Sequence, residues 1–179
     1  QQCETISAEQ LVRALPQVVL RHWRNVDVGG IAGDSRKVRP GDLFVAIPGV
    51  AVDGHRFVGA ALQAGAVACC VEREIPELEG VPTAIVPNTR EALAYLHAAW
   101  EGFPGRQLKV IGVTGTDGKT TTVRLISAIL AAAGRRVGRI DTISASIGEH
   151  ELPTGFHTTT PDAPEVQAFL AQMVAANLQ

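Results

Sequence analysis

The segment Gly112-Val113-Thr114-Gly115-Thr116-Asp117-Gly118-Lys119-Thr120-Thr121 concentrates residue types that handle phosphate. Glycine lets a backbone approach an anion that any side chain would hold away. Successive N–H groups of such a loop converge on a phosphate, and a helix opening from the loop adds its dipole. Lys119 then reaches the β- and γ-phosphates, and the Thr120 hydroxyl enters a magnesium ion's shell. That chemistry is nucleoside triphosphate binding. The general phosphate-loop pattern fits with an offset: Val113 stands where it has glycine, and Gly112 comes one residue early. A dinucleotide fingerprint fits worse, because Gly112, Gly115 and Gly118 are spaced G-x-x-G-x-x-G rather than G-x-G-x-x-G. The competing reading is a glycine-rich turn with an exposed lysine.

Such a loop needs a strand before it and a helix after it. Leu108 to Val113 reads as a buried strand, and Val123, Ile126, Leu130 and Ala133 form one helical stripe ending at Gly134. Val137 to Ile143 predicts the next strand, and Ser144 to Leu152 a hairpin around Gly148-Glu149. Asp162-Ala163-Pro164-Glu165 carries capping signals for a helix that buries Val166, Phe169, Leu170, Met173 and Val174. Two or three strands are too few to cover these helices as a finished doubly wound sheet, so the chain reads as truncated.

Upstream, Ser7 starts a short helix ended by Pro16. Leu43 to Ile47 and Ala66 to Val71 are apolar runs bounded by turn residues, the mark of buried strands. Val81 to Val86 is a third, and Pro82 near its start predicts an edge position. Asp53 caps a helix through Phe57, Val58, Ala61 and Leu62, closed by Gly65. Asn88 caps another whose Leu93, Leu96, Ala99 and Trp100 share a face. Gly102-Phe103-Pro104-Gly105 breaks that helix and reads as a linker. The expected architecture is α/β: a small domain over residues 1–104, then the start of a phosphate-loop α/β domain over 105–179.

Composition agrees with a folded α/β chain. Of 179 residues, 46% are hydrophobic and 19% charged, with a net charge of -2. Absence of basic blocks argues against nucleic acid as the main ligand. Stretches without polar side chains, such as Ala64 to Val71, are far short of a membrane span, and no export signal is visible. Gln1 is not methionine, so leading residues are expected to be missing. Cys3, Cys69 and Cys70 form neither a disulfide framework nor a zinc pattern, which reads as reduced thiols in a cytoplasmic protein.

Thr114-Gly115-Thr116-x-Gly118-Lys119-Thr120-Thr121 resembles the ATP loop of the Mur ligases, which share the same offset. Members usually carry Asn where this chain has Asp117; a carboxylate repels phosphate, so Asp117 is expected to turn away as the helix N-cap. The resemblance extends upstream through Asp34-Ser35-Arg36-Lys37-Val38-Arg39-Pro40-Gly41-Asp42-Leu43-Phe44-Val45-Ala46, Gly49 and Asp53-Gly54-His55-x-Phe57. It implies a uridine-nucleotide-binding domain contacting the substrate through Gly33, Ser35, Arg36 and the loop Val50, Ala51 and Val52. Ser35 and Arg36 suit uracil and pyrophosphate, although Asp34 and Pro40-Gly41 also fit ordinary turn chemistry. Thr158-Thr159-Thr160-Pro161 resembles the segment contacting the muramoyl peptide in the branch that adds an amino acid to UDP-N-acetylmuramoyl-L-alanyl-D-glutamate. The branch adding D-alanyl-D-alanine lacks it.

The resemblance therefore implies an ATP- and magnesium-dependent ligase of peptidoglycan precursor synthesis, working through an acyl phosphate, cytoplasmic and monomeric when full-length. Lys119 is the implied catalytic residue, with Thr114, Gly115, Thr116, Asp117, Gly118, Thr120 and Thr121 around ATP and Thr120 on the metal. Residues 1–179 alone are expected to be inactive in ligation. Alternatives are the D-alanyl-D-alanine-adding branch and a non-catalytic nucleotide-binding module. Bland readings are expected elsewhere: Cys69-Cys70 as core, His22, His97 and His157 as structural, Glu149-His150-Glu151 as no metal site, and His55 as part of its helix's first turn rather than of a nucleotide pocket.

Overall fold

In the computed structural model, residues 5–49, 52–148, 150–153 and 162–179 are described. Two compact units divide the chain, Gln1–Trp100 and Glu101–Gln179.

The first unit contains β1 (Ile6–Ser7), α1 (Ala8–Val12), β2 (Val19–Arg21), β3 (Asp27–Val28), β4 (Gly30–Ala32), β5 (Asp42–Val45), α2 (Val58–Gln63), β6 (Ala68–Val71), β7 (Thr83–Ile85) and α3 (Thr89–Trp100). Its main sheet runs β2-β7-β6-β5-β4, and β1 pairs separately with β3. Strands β4, β5, β6 and β7 are parallel; β2 joins antiparallel to β7. Both sheet faces are covered, which explains continuous apolar strands without alternation. Leu43, Val45, Ala68 and Cys70 pack with Leu11 of α1 and Leu96 of α3 on one face. On the other, Phe44, Cys69 and Val71 pack with Val58 and Ala61 of α2. Cys69 and Cys70 are thus core residues of opposite faces, and burial pushes both thiols up to about 12.

The helix signals match their positions. Ser7 Oγ accepts from Gln10 N at 3.3 Å, Asp53 caps a single tight turn that leads into α2, and Asn88 Oδ1 accepts from Arg90 N and Glu91 N. One expectation for this unit needs correction. Val81–Val86 is not an edge strand, since β7 lies between β2 and β6. Pro82 precedes the paired residues, so its missing N–H costs the ladder nothing, and its carbonyl accepts from Cys69 N. Strand β2, not expected from the sequence, is short and its residues are exposed.

The second unit holds α4 (Lys119–Ala132), β8 (Arg139–Ile140), β9 (Ser144–Ile147), β10 (His150–Pro153) and α5 (Ala163–Ala175). Its sheet, β10-β9-β8, is antiparallel. The hairpin around Gly148 forms as expected, with Ile147 opposite His150 and Gly148 at φ +61°. The capping box of α5 forms too, Asp162 N donating to Glu165 Oε2 at 3.2 Å. Of its apolar stripe only Met173 is fully buried.

Leu108 to Val113 is not a buried strand. Lys109 to Gly112 is irregular and exposed, Val110 by 62% and Ile111 by 59%, because no described segment pairs with it. The strand expected over Val137–Ile143 shrinks to β8, because the Asp141 carboxylate accepts from Ile143 N and Ser144 N and turns the chain. Gly102-Phe103-Pro104-Gly105 does interrupt the helix, but not as a loose tether. Phe103 is left-handed at φ +56°, Pro104 is buried, and its turn packs against α5. Among the described residues, no helix is long and apolar enough to cross a membrane.

Candidate functional site

Parallel strands leave their carboxyl ends along one edge of a sheet, the edge where α/β folds bind ligands. In the first unit that edge collects Gly33–Arg36 after β4, residues 46–49 and 52–54 after β5, Glu72 and Arg73 after β6, and the start of α3 after β7.

Asp34 caps the short turn Ser35–Lys37, accepting from Arg36 N at 3.0 Å. The same carboxylate takes the Arg36 side chain in a fork, Nε to Oδ1 at 2.9 Å and Nη2 to Oδ2 at 2.7 Å. That guanidinium holds the Asp34 carboxyl down at about 2. Arg36 is otherwise 87% exposed, so it stands oriented in solvent rather than buried. Gly33 is packed closely: a Cβ would lie 3.2 Å from Ile47 Cδ1 and 3.5 Å from Leu93 Cδ2. Gly33, Ser35 and Arg36 therefore share one turn with the beginning of the 46–54 loop beside it. Val52 of that loop is 46% exposed; Val50 and Ala51 lie outside the described residues.

A polar cluster that sequence reasoning treated as structural sits at the same edge. His55 is 4% exposed and its ring is held on both sides: Nδ1 lies 2.7 Å from Asp53 Oδ1, and Nε2 accepts from Glu72 N at 2.9 Å. Asp53 also receives Arg73 Nη2 at 2.5 Å, and Arg73, then the His55 N–H, keep its carboxyl well below the usual range. Glu72 Oε1 accepts from Thr89 N at 2.8 Å, while Thr89 Oγ1 lies 2.9 Å from Ala46 O. The signal available in the sequence was the Asp53-x-His55 spacing, in which an N-cap carboxylate meets an imidazole in the next turn.

In the second unit, Gly118 is the N-cap of α4, left-handed at φ +76°, and no side chain caps the helix. Its first backbone bond is Thr122 N to Gly118 O, so the N–H groups of Lys119, Thr120 and Thr121 precede the helical ladder. A Cβ at Gly112 or Gly118 would meet nothing within 4 Å, so space lies open before the helix. Lys119 Nζ folds back to donate to Gly115 O at 2.7 Å and Thr116 O at 3.0 Å. Asp117 is exposed and is not the N-cap, contrary to expectation, because the left-handed turn at Gly118 takes that place. Thr114, Gly115 and Thr116 are exposed along the loop, and Thr121 on the first turn.

Thr120 Oγ1 lies 3.1 Å from Thr142 Oγ1, the residue just beyond Asp141. Arg124 on α4 donates Nε to Asp141 Oδ2 at 2.9 Å, and Arg139 approaches the same oxygen at 3.4 Å while pairing with Glu151. Burial pushes the Asp141 carboxyl up, but Arg124 and the N–H groups of Ser144 and Ile143 outweigh it and hold it at about 2. Thr142 and Asp141 were missed; their position directly after a strand that follows the loop–helix unit was the available signal. Thr158, Thr159, Thr160 and His157 lie outside the described residues, as does Glu149. No cluster of three metal-ligating side chains occurs among the described residues.

The loop's open space, its uncapped helix start, the Lys119 ammonium and the Thr120 hydroxyl fit a nucleoside triphosphate with its magnesium ion. The model of the Mur ligase family catalytic domain matches residues 27–101, and that of the Mur ligase middle domain residues 113–179. The chain is 47% identical over 155 residues to UDP-N-acetylmuramyl-tripeptide synthetase of Roseiflexus sp. strain RS-1, covering 85% of this chain and 30% of that protein. It is 44% identical over 145 residues to UDP-N-acetylmuramoyl-L-alanyl-D-glutamate–2,6-diaminopimelate ligase of Syntrophomonas wolfei, covering 81% and 29%. A solved structure of a ligase of the latter name superposes with a TM-score of 0.68 at 26% identity, over 96% of this chain and 34% of that one. The chain thus spans about a third of the length of the relatives it matches.

Proposed function

This chain belongs to the Mur ligase family, and we propose that the protein carrying it is an ATP-dependent, ADP-forming ligase adding an amino acid to UDP-N-acetylmuramoyl-L-alanyl-D-glutamate in peptidoglycan precursor synthesis. The observation that carries the reading is the start of α4. There an uncapped 14-residue helix begins at a left-handed Gly118, with the Lys119 ammonium on its own loop and the Thr120 hydroxyl in the first turn. Such a site binds polyphosphate through N–H groups and the helix dipole.

The proposed division of labour gives residues 1–104 to the uridine nucleotide and 105–179 to ATP. The first is assigned the uridine nucleotide, through Gly33, Ser35, Arg36 and residues 50–52; Thr158–Thr160, which belong to the second, are assigned to the muramoyl peptide. The second holds ATP along Thr114–Thr121, with Thr120 toward magnesium, the ion that neutralises phosphate charge when bound. Phosphoryl transfer demands positioning and charge stabilisation rather than covalent help from the protein. The D-glutamate carboxylate attacks the γ-phosphorus, ADP leaves, and the incoming amine displaces phosphate from the acyl phosphate. Lys119 is positioned to leave its own loop carbonyls and follow the β- and γ-phosphates. The protein is proposed to work in the cytoplasm as a monomer. The added amino acid is left open, since relatives named for tripeptide synthesis and for diaminopimelate addition match almost equally well.

The test is ADP release by the complete reading frame with UDP-N-acetylmuramoyl-L-alanyl-D-glutamate, magnesium and single amino acids. Amino-acid-dependent ADP release is the expected result. Dependence on D-alanyl-D-alanine with a tripeptide substrate, or ATP binding without turnover, overturns the assignment. Residues 1–179 assayed alone are expected to release no ADP, and turnover by them would remove the need for further residues.

A further inference from the structure

We propose that His55 is a positioning residue whose neutral imidazole latches Asp53, and Val52 before it, to the carboxyl end of β6, keeping the edge in its ligand-binding shape. The inference rests on reading that edge as the uridine-nucleotide site. His55 is 4% exposed, and each ring nitrogen has one partner. Ionised Asp53 only accepts, so Nδ1, 2.7 Å from Oδ1, carries the proton. The partner of Nε2 at 2.9 Å is the Glu72 N–H, a donor, so Nε2 carries the lone pair. A single species satisfies both partners, the neutral Nδ1–H tautomer. An imidazolium sets two donors against each other at the Glu72 contact.

The ring therefore clips two chain segments together. Asp53 and Gly54 end the loop, where Gly54 N donates to Ile47 O and Gly49 N to Val52 O, both at 3.0 Å. Glu72 follows β6, and its carboxylate takes Thr89 N at 2.8 Å at the start of α3. Displacing His55 from Glu72 thus removes one of the two ties between Asp53-His55 and the residues after β6, leaving Arg73 on Asp53 as the other. The charged groups around the ring are Asp53 and Arg73 on the Nδ1 side, Glu72 on the other, and Arg90 of α3, which reaches Pro48 O at 3.1 Å. Asp53 attracts an imidazolium, but Arg73 already occupies its second oxygen, and the Glu72 N–H opposes protonation directly. An imidazolium therefore loses the Glu72 arm and keeps the Asp53 arm.

The experiment uses the full chain, with UDP-N-acetylmuramic acid as probe, in wild type, His55→Gln and His55→Phe. Binding is titrated between pH 8 and about 5.5, the range in which histidines titrate. Glu72 amide exchange and the His55 nitrogen shifts are followed by NMR under the same conditions. The wild type is expected to show the Nδ1–H tautomer at pH 8, then to lose Glu72 protection and about fivefold in affinity on acidification, the worth of one hydrogen bond. His55→Gln, whose amide oxygen accepts from Glu72 N and does not titrate, is expected to give a flat profile near the wild-type value at pH 8. His55→Phe is expected to bind weakly at both extremes. Parallel pH profiles in wild type and His55→Gln, or Glu72 protection indifferent to pH and to His55→Phe, overturn the latch. If Glu72 opens with acid but the probe binds at no pH, the latch stands and the nucleotide reading of the edge falls.

Discussion

The Lys119 ammonium lies 2.7 Å from the carbonyl oxygen of Gly115, the residue four positions before it in its own loop. With the second bond to Thr116 O, the side chain ties the loop closed across the start of α4. A triphosphate must exchange these neutral acceptors for charged ones, and charge-assisted hydrogen bonds are roughly twice as strong. Lys119→Ala is therefore expected to weaken ATP·Mg binding about ten- to a hundredfold, corresponding to about 1.5–3 kcal/mol. Binding of UDP-N-acetylmuramic acid, assigned to the other unit, stays unchanged. Calorimetry with each ligand separately checks this, and joint loss of both ligands would indicate misfolding or one shared site.

Gly54 and Gly59 differ sharply although five residues apart. A Cβ on Gly54 would sit 2.5 Å from Ile47 O and 2.7 Å from Ile47 N, backbone atoms that cannot swing aside. A Cβ on Gly59, inside α2, meets nothing within 4 Å. Gly54→Ala is expected to destabilise by about 1–3 kcal/mol, and Gly59→Ala to stabilise by about 0.5–1 kcal/mol. Urea unfolding followed by tryptophan fluorescence reads both, because Trp23 and Trp100 lie in the first unit. Equal effects of the two substitutions would sink the close-approach argument.

What the sequence disclosed depended on how local the determinant was. Caps at Ser7, Asn88 and Asp162 and the hairpin at Gly148 are encoded within a few residues, and each forms where its signal stands. The buried strands β5 and β6 were legible because parallel strands covered on both faces are apolar throughout. Long-range pairing was not. Strand β2 is exposed along its length and is held by β7, more than sixty residues away in sequence, which also moves β7 off the edge. Apolar character likewise misled at Val110 and Ile111, because hydrophobicity does not supply the neighbouring strand a ladder requires. At the candidate site, the helix start after Gly118 was readable from the glycine loop and the apolar stripe that follows it. The His55 cluster was not, since Glu72 and Thr89 meet it only through strand order.

Cys69 and Cys70 are fully buried on opposite faces of β6, with thiols pushed up to about 12. At pH 8 neither carries appreciable thiolate, the species that attacks disulfide reagents. In a Cys3→Ser background, labelling by a disulfide reagent is expected to proceed only at the rate of unfolding, and to accelerate with urea. Labelling at the rate of a free exposed thiol in native buffer would contradict the core assignment.

Asp141 makes the pH dependence of the second unit specific. Its carboxylate is 1% exposed and accepts from Arg124 Nε at 2.9 Å, Ile143 N at 2.8 Å and Ser144 N at 2.9 Å. These partners hold it at about 2, below its ordinary 3.8. A carboxyl depressed by folding binds protons more readily in the unfolded chain, so stability is lost as pH is lowered. The contribution is complete above about 4, declines between about 4 and 2, and amounts to about 2 kcal/mol at neutrality. Asp141→Asn keeps an oxygen for the N–H groups but loses the charge facing Arg124. The variant is therefore expected to be less stable by about that amount at pH 7 and to converge on wild type near pH 2. Asp34 and Asp53 are also depressed, so absolute stability falls in both proteins, and the difference between them isolates Asp141. Circular dichroism must follow the unfolding, since both tryptophans lie in the other unit. A difference that stays constant from pH 7 to 2.5 would mean that Asp141 acts through its hydrogen-bonded shape and not through its charge.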